Sequence, residues 1–358
     1  MPVTWLSLNP LDTLSVRDGR SFAAGSDTTS TAVFPPPSTV AGAVHKALEG
    51  IGRSGPSANR GRSGGRSEVP ADRQTRFTRL AGPVVHRPGD GLLFPWPRHL
   101  VVSDDGTAQL LRVASGDGVV HDDDVPGLLV GDGEVPDGVL LRAGQLETVL
   151  HGALTADDLD DLDDLAGHGD RAGGVAYDTE VHVGLYRANG RTAEDKYLYA
   201  AQHLRFGQGV SLAVRVNTEV EVPDERRLVQ LGGERRLVEV HKLARPIVPA
   251  MADRFDGGRL LLYLATPAVF EGGWRPDLPG GIEVKAAAVG APLPISTRAR
   301  GTHVLRWAVP AGSVYFLQAT DERAASDFAR SVHDRSVRQV EARLRTSGFG
   351  WCFTGRWS

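Results

Sequence analysis

The chain has 358 residues, including 43 Gly and 22 Pro, and its hydrophobic fraction of 41% is sufficient to bury a core. The high Gly and Pro content predicts many turns and short elements, and it argues against a helical bundle or a coiled coil. The formal net charge of −4 is the sum of two opposite contributions. Residues 101–170 carry 17 acidic and two basic groups, and the rest of the chain has a net charge of +11. We therefore expect a basic surface and a separate acidic segment.

Targeting and redox features are sparse. The sequence contains no apolar run of the roughly 18 residues that a membrane helix needs, and its first residues do not resemble a secretory signal. Cys352 is the only cysteine, which excludes an intrachain disulfide. These features predict a cytoplasmic protein that has no contact with a membrane.

The first half of the chain begins with a strand, a loop and a helix. Val3–Leu8 is rich in β formers, and the prolines before Ser38 predict a helix start with Ser38 as N-cap and a helix end near Gly50. Residues 52–67 are rich in Arg, Gly and Ser, and we interpret them as a flexible basic insertion. The strands predicted next are Arg76–Val85, Leu92–Val102, Ala108–Val113 and Val139–Arg142.

The acidic stretch Thr155–Leu165 predicts a helix, and the glycine-rich residues 167–174 predict a domain boundary. The second half is again rich in β patterns, and Ala311-Gly312 predicts a hairpin between its last two strands. A single long helix is expected from Asp321 to about Arg345. The second-half strands are Glu180–Leu185, Lys196–Arg205, Val210–Val216, Arg236–Lys242, Gly258–Ala265, Gly281–Ala288, Thr302–Val309 and Ser313–Ala319.

This order of elements predicts an α+β fold with two domains of the β-α-β-β-α-β kind. The first domain would cover residues 1–170, with the basic insertion 52–67 and the acidic segment 101–170. The second domain would cover residues 171–358 and end in a glycine-rich loop. This boundary is approximate, and interleaving of the two domains stays an open alternative.

Catalytic and cofactor motifs have no support in the sequence. The G-x-G-x-x-G match at residues 50–55 ends a helix instead of joining a strand to a helix, and a P-loop is absent. The eleven His residues are not at metal-ligand spacings, and Cys352 has no adjacent His. We therefore predict no catalytic residue, no metal and no cofactor, and we interpret the acidic run as a solvated face.

Binding motifs are better supported. A helix N-terminus can hold a phosphate, an aromatic ring between glycines can stack on a base, and glycines let a ligand approach the backbone closely. Core packing remains an open alternative for each aromatic, and a solvated strand end remains one for Arg235. The RNA-binding candidates are Arg17, Arg20, Ser38, Thr39, His45, Lys46, Arg235, Trp274, Gly348, Phe349 and Gly350.

An ordered set of motifs from residue 6 to the C-terminus resembles one known family, the third subunit of the type III-B CRISPR effector called the Cmr complex. Each motif alone is weak, but the ordered set is specific. The matching segments are 6–14, 17–22, 34–43, 182–185, 198–199, 231–235, 266–274, 309–316 and 348–350.

The resemblance implies a RAMP-superfamily protein with two ferredoxin-like, RRM-related domains and long loop insertions. It implies a non-catalytic RNA-binding subunit that holds the 5′ handle of the CRISPR RNA and lies close to target RNA at the handle end. It also implies docking to the large polymerase-like subunit and to a backbone subunit. The glycine-rich segment 348–350 corresponds to the RAMP signature.

The sequence departs from the family pattern at Val44-His45, where the family commonly has Leu-Arg, so the role of His45 stays open. One alternative is a metal-independent RAMP endoribonuclease with His45 as general base. Another is a protein–protein adaptor that docks through the acidic residues 101–170.

Overall fold

The structure, a computed structural model, describes residues 2–19, 31–49, 77–115, 127–155, 158, 176–187, 193–218, 221–222, 224–299 and 302–358. The strands in these ranges are β1 (Val3–Pro10), β2 (Phe77–Arg87), β3 (Gly91–Pro95), β4 (Leu100–Val102), β5 (Ala108–Leu110), β6 (Arg112–Ser115), β7 (Gly127–Val130), β8 (Leu140–Arg142), β9 (Tyr177–Arg187), β10 (Ala193–Phe206), β11 (Ser211–Thr218), β12 (Arg227–Gln230), β13 (Leu237–Leu243), β14 (Arg259–Leu264), β15 (Ile282–Ala288), β16 (Leu293–Ala299), β17 (Thr302–Ala308), β18 (Val314–Ala319), β19 (Arg335–Ser336) and β20 (Trp351–Gly355). The helices are α1 (Pro37–Leu48), α2 (Ala143–His151), α3 (Glu322–Val332) and α4 (Ala342–Thr346).

The first sheet has seven strands in the order β12-β13-β1-β11-β2-β3-β8, and all its neighbours pair antiparallel. Helix α1 connects β1 to β2, which lie parallel to each other with β11 between them. The apolar positions Val40, Val44 and Leu48 recur every four residues, so α1 presents one stripe to the sheet. This stripe packs on the side chains of Leu6, Leu80 and the other residues of one buried core cluster.

The second sheet has five strands in the order β15-β18-β14-β20-β19, again antiparallel throughout. Helix α3 joins β18 to the β19–β20 edge, and its amino end is capped by Asp321, whose side chain accepts a hydrogen bond from the Ala324 N–H at 2.7 Å. Phe328 and Ala329 of α3 are buried against this sheet.

A single aromatic core joins the two sheets. Trp5 and Phe94 of the first sheet contact Trp351 of the second, with ring centroids 6.2 and 5.8 Å apart. Phe353 packs on the edge of Phe94 at 5.4 Å, and the Tyr263 hydroxyl donates to the Pro95 carbonyl at 2.6 Å. The sheets therefore share one buried cluster instead of meeting across a solvated gap.

The two sheets interleave in the sequence and do not divide at residues 170/171. Strands β11, β12 and β13 come from the second half of the sequence and complete the first sheet. The second sheet begins only at Arg259. In neither sheet does the described chain supply both helices of the predicted β-α-β-β-α-β order, because α1 lies on the first sheet and α3 on the second.

The predicted hairpin between Thr302–Val309 and Ser313–Ala319 is also wrong. Strand β17 pairs with β16, whereas β18 pairs with β14 and β15. The connection is fixed to other parts of the chain, since Val309 and Ala268 exchange backbone hydrogen bonds of 2.7 and 2.9 Å. Non-local pairing thus separates two strands that the Ala311-Gly312 turn would have joined.

The predicted long helix from Asp321 to Arg345 is interrupted. Helix α3 ends at Val332, Asp334 has a left-handed φ of 55°, and the chain then pairs with β20 as the short strand β19. The Asp334 N–H donates to the Cys352 carbonyl at 2.9 Å. Pairing with the sheet edge outweighs the local helical preference, and a separate helix, α4, follows.

The remaining differences concern boundaries. Predicted strand Leu92–Val102 is divided into β3 and β4, and α2 forms in a segment for which no helix was predicted. Most of the predicted acidic helix and the whole basic insertion 52–67 lie outside the described residues.

His99 predicts an acid sensitivity of folding. The side chain is buried at 1% exposure, and burial lowers its pKa from 6.5 to about 3, so the folded chain holds a neutral imidazole at pH 7. The unfolded chain binds this proton first, so stability from His99 is present above pH 6.5 and is lost as the pH falls toward 3. We expect a loss of about 2 kcal/mol at pH 5.

Urea unfolding at pH 7 and pH 5 measures this effect. In His99→Phe the difference in unfolding free energy between the two pH values should shrink by about 2 kcal/mol. If the difference in unfolding free energy between pH 7 and pH 5 is the same in His99→Phe as in the unaltered chain, the imidazole of His99 is protonated at pH 5 in the folded chain.

Candidate nucleic-acid interface

The amino end of α1 is formed by prolines. Pro36 is the N-cap in extended conformation, and no side chain caps the helix, so the predicted N-cap role of Ser38 is wrong. The N–H groups of Thr39 and Val40 donate to the Pro36 carbonyl at 2.9 and 3.3 Å. Pro37 has no N–H, so of the first-turn amides only that of Ser38 is left without a backbone acceptor among the described residues.

The glycine-rich segment 348–350 is buried, and its three residues serve internal packing. The Gly348 carbonyl accepts a hydrogen bond from the Thr266 hydroxyl at 2.7 Å, and the Gly350 N–H donates to the Pro267 carbonyl at 2.8 Å. Phe349 has 0% exposure and packs among Val269, Leu344 and other buried side chains. Its ring is therefore not on the surface, which corrects the expectation that it stacks on an RNA base.

Gly348 joins the two sheets at the start of α1. Its φ is 104°, and a Cβ at this position would lie 2.4 Å from the Gly82 carbonyl oxygen of β2 and 3.4 Å from the Pro37 Cβ. Only glycine fits such a contact at such a φ. The predicted candidates Ser38 and Gly348 are thus brought together, but through packing of the chain on itself.

Four arginines gather next to this junction, and we call them the arginine cluster: Arg79 of β2, Arg215 of β11, Arg335 of β19 and Arg345 of α4. The pKa of Arg79 is lowered first by burial and second by the positive charges of the other three guanidinium groups. Repulsion of this kind places the other three guanidinium groups around that of Arg79. Two of the group, Arg335 and Arg345, are at the surface.

The cluster carries excess positive charge. Arg215 forms an ion pair with Asp334, and its second amino group donates to the Asp334 carbonyl at 2.7 Å. Its guanidinium also lies 5.7 Å from the ring centroid of Trp5 and 5.8 Å from that of Trp351. No ion pair of another cluster member is found within the described ranges. One carboxylate thus faces four cations, which favours an anionic ligand.

A cleft of about 380 Å³ extends from Arg215 over the start of β1 and the end of β13, two inner strands of the first sheet. Lys242 and Arg245 line it together with Trp5. Lys242 forms an ion pair with Asp224 at 2.8 Å, so part of its charge is compensated. The cleft continues the basic surface of the arginine cluster.

His45 and Lys46 lie at the carboxyl end of α1, about 12 Å along the helix axis from its start. The half-buried ring of His45 stacks on Phe77, with centroids 4.2 Å apart. Lys46 forms an exposed ion pair with Glu49. These two candidates therefore do not share a phosphate site with Ser38 and Thr39.

Arg17 and Arg235 belong to a different part of the surface. Arg235 is exposed in the turn between β12 and β13, with a φ of 56°, and the neighbouring Gly233 N–H donates to the Ser15 carbonyl at 2.7 Å. Arg17 follows two residues after Ser15 and is exposed as well. The structure thus places these turns side by side, whereas Arg20 lies outside the described residues.

Trp274 is half-buried between two neighbours. Its ring stacks on Tyr315 with centroids 6.4 Å apart and an interplanar angle of 2°, and the Arg275 guanidinium lies 5.1 Å from its centroid. The Trp274 carbonyl accepts from the Tyr315 hydroxyl at 2.6 Å. Stacking within the chain thus occupies this ring.

Sequence reasoning missed the arginine cluster. Arg79 and Arg215 stand at polar positions within otherwise apolar strands, a signal that could have been noticed. Arg335 and Arg345 were assigned to one continuous helix, which hides their approach to the first sheet. Among the described residues, no group of three or more His, Cys, Asp or Glu could hold a metal, and no helix is long and apolar enough to cross a membrane.

Solved structures share this fold. One similar chain is from the "Cryo-EM structure of the Type III-B Cmr-beta bound to cognate target RNA and AMPPnP, state 1", with a TM-score of 0.52 and 15% sequence identity over 95% of this chain and 91% of that chain. Another is from the "Cryo-EM structure of the Type III-B Cmr-beta bound to cognate target RNA", with a TM-score of 0.50 and 15% identity over 91% of this chain and 89% of that chain. The fold is therefore that of a chain in a type III-B Cmr assembly.

A sequence profile described as "CRISPR-associated protein (Cas_Cmr3)" matches residues 6–357. The chain therefore belongs to the Cmr3 family of CRISPR-associated proteins, which confirms the resemblance found in its motifs. A comparison with curated protein sequences found no match.

Gly348 gives a prediction about stability. Gly348→Ala should lower the free energy of unfolding by about 2 kcal/mol or more, because the new Cβ meets the Gly82 carbonyl in a strained conformation. Gly42→Ala is the matched control: Gly42 is exposed within α1, a Cβ there meets nothing within 4 Å, and the change should stabilise by about 0.5–1 kcal/mol. Chemical denaturation measures both, and equal effects would contradict the packing role of Gly348.

Repulsion within the arginine cluster gives a second prediction. Arg345→Gln should raise the melting temperature slightly at low salt, by roughly 0.5 kcal/mol or less in free energy, because it removes one of several like charges. The gain should vanish at high salt, where the charges are screened. Arg323→Gln, at a 92% exposed site near Asp327, is the control and should show no such gain. A salt-independent effect of Arg345→Gln would refute the electrostatic explanation.

Proposed function

We propose that this chain is the RNA-binding subunit of a type III-B CRISPR effector complex and that it holds the 5′ handle of the CRISPR RNA. The observation that carries the proposal is the arginine cluster, which has four cations against one carboxylate. Guanidinium groups bind phosphate oxygens in a bidentate manner, and an RNA backbone supplies one phosphate for each nucleotide.

Arginine side chains from both sheets would contact the RNA phosphates together. Arg79 and Arg215 extend from the first sheet, whereas Arg335 and Arg345 belong to the β19 and α4 segments. The Ser38 amide and the positive end of the α1 dipole would offer a neutral donor for a further phosphate. Contacts of this type set the position of a strand, and they read little of its sequence.

The junction at Gly348 would keep this surface rigid. Because Gly348 packs directly on Gly82 and Pro37, the start of α1 and the arginine cluster keep a fixed separation. Arg17 and Arg235 would contact a more distant part of the RNA, or a partner subunit, from their neighbouring turns.

The partners follow from family membership and from the similar chains, whose assemblies are bound to cognate target RNA. We propose that the chain docks the large polymerase-like subunit and a backbone subunit, and that target RNA passes close to the handle end. The complex would work in the cytoplasm. The acidic residues 101–170 remain a candidate docking surface for a basic partner.

The two sheets also support the ferredoxin-like interpretation. In the first, β1, β2, β11 and β13 would be strands one to four, and their order in the sheet is four-one-three-two. In the second, β14, β15, β18 and β20 have the same order. Each unit would keep one of the two expected helices, α1 in the first and α3 in the second.

We further propose that the subunit is not catalytic. The alternative, cleavage of guide RNA with His45 as general base, needs an imidazole placed against the ribose 2′-hydroxyl. The His45 ring instead stacks on Phe77, with centroids 4.2 Å apart. Incubation of the chain with repeat RNA in EDTA tests this directly, since a discrete product that His45→Ala abolishes would establish the endonuclease.

The arginine cluster can be tested by RNA binding to the full-length chain. In the double variant Arg79→Gln/Arg345→Gln, the affinity for guide RNA that carries the handle should fall about tenfold or more. The slope of log affinity against log salt should become shallower by about 0.7 for each phosphate that the variant no longer neutralises. Fluorescence anisotropy at several salt concentrations measures both quantities.

Arg323→Gln on α3 is the matched control, because it removes the same charge from an exposed site near Asp327. It should leave affinity and slope unchanged. Unchanged binding in the double variant would contradict the proposed phosphate contacts. An equal loss on RNA with and without the handle would contradict the assignment of this surface to the handle.

A further inference from the structure

A second basic site lies against strands β14 and β18 of the second sheet, in a cavity of about 860 Å³. Strands β5 and β6, the carboxyl end of α2 and the sheet residues Leu261 and Phe316 form its walls. Trp357 and its neighbours in the chain close one side. The volume falls in the range of roughly 300–1,000 Å³ that is typical of small-molecule sites.

One acidic side chain, Asp256, and four arginines line the cavity. The arginines are Arg112, Arg254, Arg259 and Arg356. None of the four belongs to the arginine cluster, so this is a separate concentration of positive charge. A small site with three cations in excess favours an anion, and phosphate is the group that several guanidinium forks bind best.

The arginine side chains are held in place by neighbours. The Arg356 Nε donates to the His151 carbonyl at 2.7 Å, and the Arg259 guanidinium lies 5.5 Å from the centroid of the Trp357 ring. Arg254 forms an ion pair with Asp256 at 3.6 Å. Arg112 has no ion pair with any residue that the structure describes.

His99 is an independent indication of a ligand. Its side chain lines the cavity at 1% exposure, and both ring nitrogens lack a hydrogen-bond partner among the described residues. The ring edge packs on Phe316, with centroids 5.8 Å apart. A buried imidazole with two unused polar atoms is costly, and a small shift of the His99 ring toward a molecule bound in the cavity would give it a partner.

We propose that this cavity binds a phosphate-bearing small molecule of nucleotide size, with its phosphate against the arginines and its ring system between Phe316, Leu261 and His99. A neutral imidazole can both donate and accept, as the polar edge of a base requires. The same chemistry is offered by a free nucleotide and by the terminal nucleotide of an RNA strand.

Calorimetric titration of the full-length chain with AMP, adenosine and inorganic phosphate tests the proposal. We expect AMP to bind more tightly than either of its parts. Arg112→Gln and Arg259→Gln should each weaken AMP binding about tenfold, because each removes one charge-assisted hydrogen-bonding group. His99→Phe should weaken AMP and adenosine and leave inorganic phosphate unchanged.

Arg323→Gln on α3 is the control, because it removes an arginine outside the cavity. Thermal melting of every variant verifies folding. A second titration compares AMP with a short RNA that ends in a phosphate. Tighter binding of the RNA that Arg112→Gln weakens identifies a strand end as the ligand of the cavity, and tighter binding of AMP identifies a free nucleotide.

The proposal would be overturned if neither AMP nor the RNA end binds. It would also be overturned if Arg112→Gln and Arg259→Gln leave the binding unaltered. The handle-dependent binding assigned to the arginine cluster uses different residues. The two proposals are therefore tested independently of each other.

Discussion

The packing of Trp351 between the two sheets is the contact on which the rest of the structure depends. Its ring contacts Trp5 and Phe94 of the first sheet, and its Nε1 donates to the Asp334 carboxylate at 2.9 Å. Asp334 in turn pairs with Arg215. The hydrophobic core that joins the sheets is thus continuous with the ion pair that anchors the arginine cluster, so disruption of the core would also displace the basic surface.

Positive charge in the molecule is concentrated at particular sites. The arginine cluster concentrates positive charge at one junction even though the formal net charge is −4. Such a concentration destabilises the isolated chain slightly and is useful only when an anion neutralises it. The arginine-lined cavity near His99 has the same character, with an added apolar wall. One fold therefore presents two separate concentrations of positive charge that attract anions.

The candidate site could be predicted only in part. The start of α1 and the segment 348–350 were recognised as important, and the structure does bring them into contact. The segment is important for a different reason than expected, because Gly348 packs closely on Gly82 and the Phe349 ring is buried in a core. A glycine required by close approach of two backbones looks the same in a sequence whether the second backbone is RNA or the chain itself.

Local sequence determined most of the strands, helix α1 and the family. Period-two and period-four apolar patterns identify the faces that must be buried, and the ordered motifs from residue 6 onward identify the Cmr3 family. Only the tertiary structure decided which strands pair, where α3 stops, and which arginines meet. Arg79 and Arg345 are separated by more than half of the chain, and their approach depends on β20 pairing with β14 and on Gly348 packing against Gly82. Contacts at such sequence separation leave no local pattern, because each partner satisfies only its own short-range preferences until the two sheets pack.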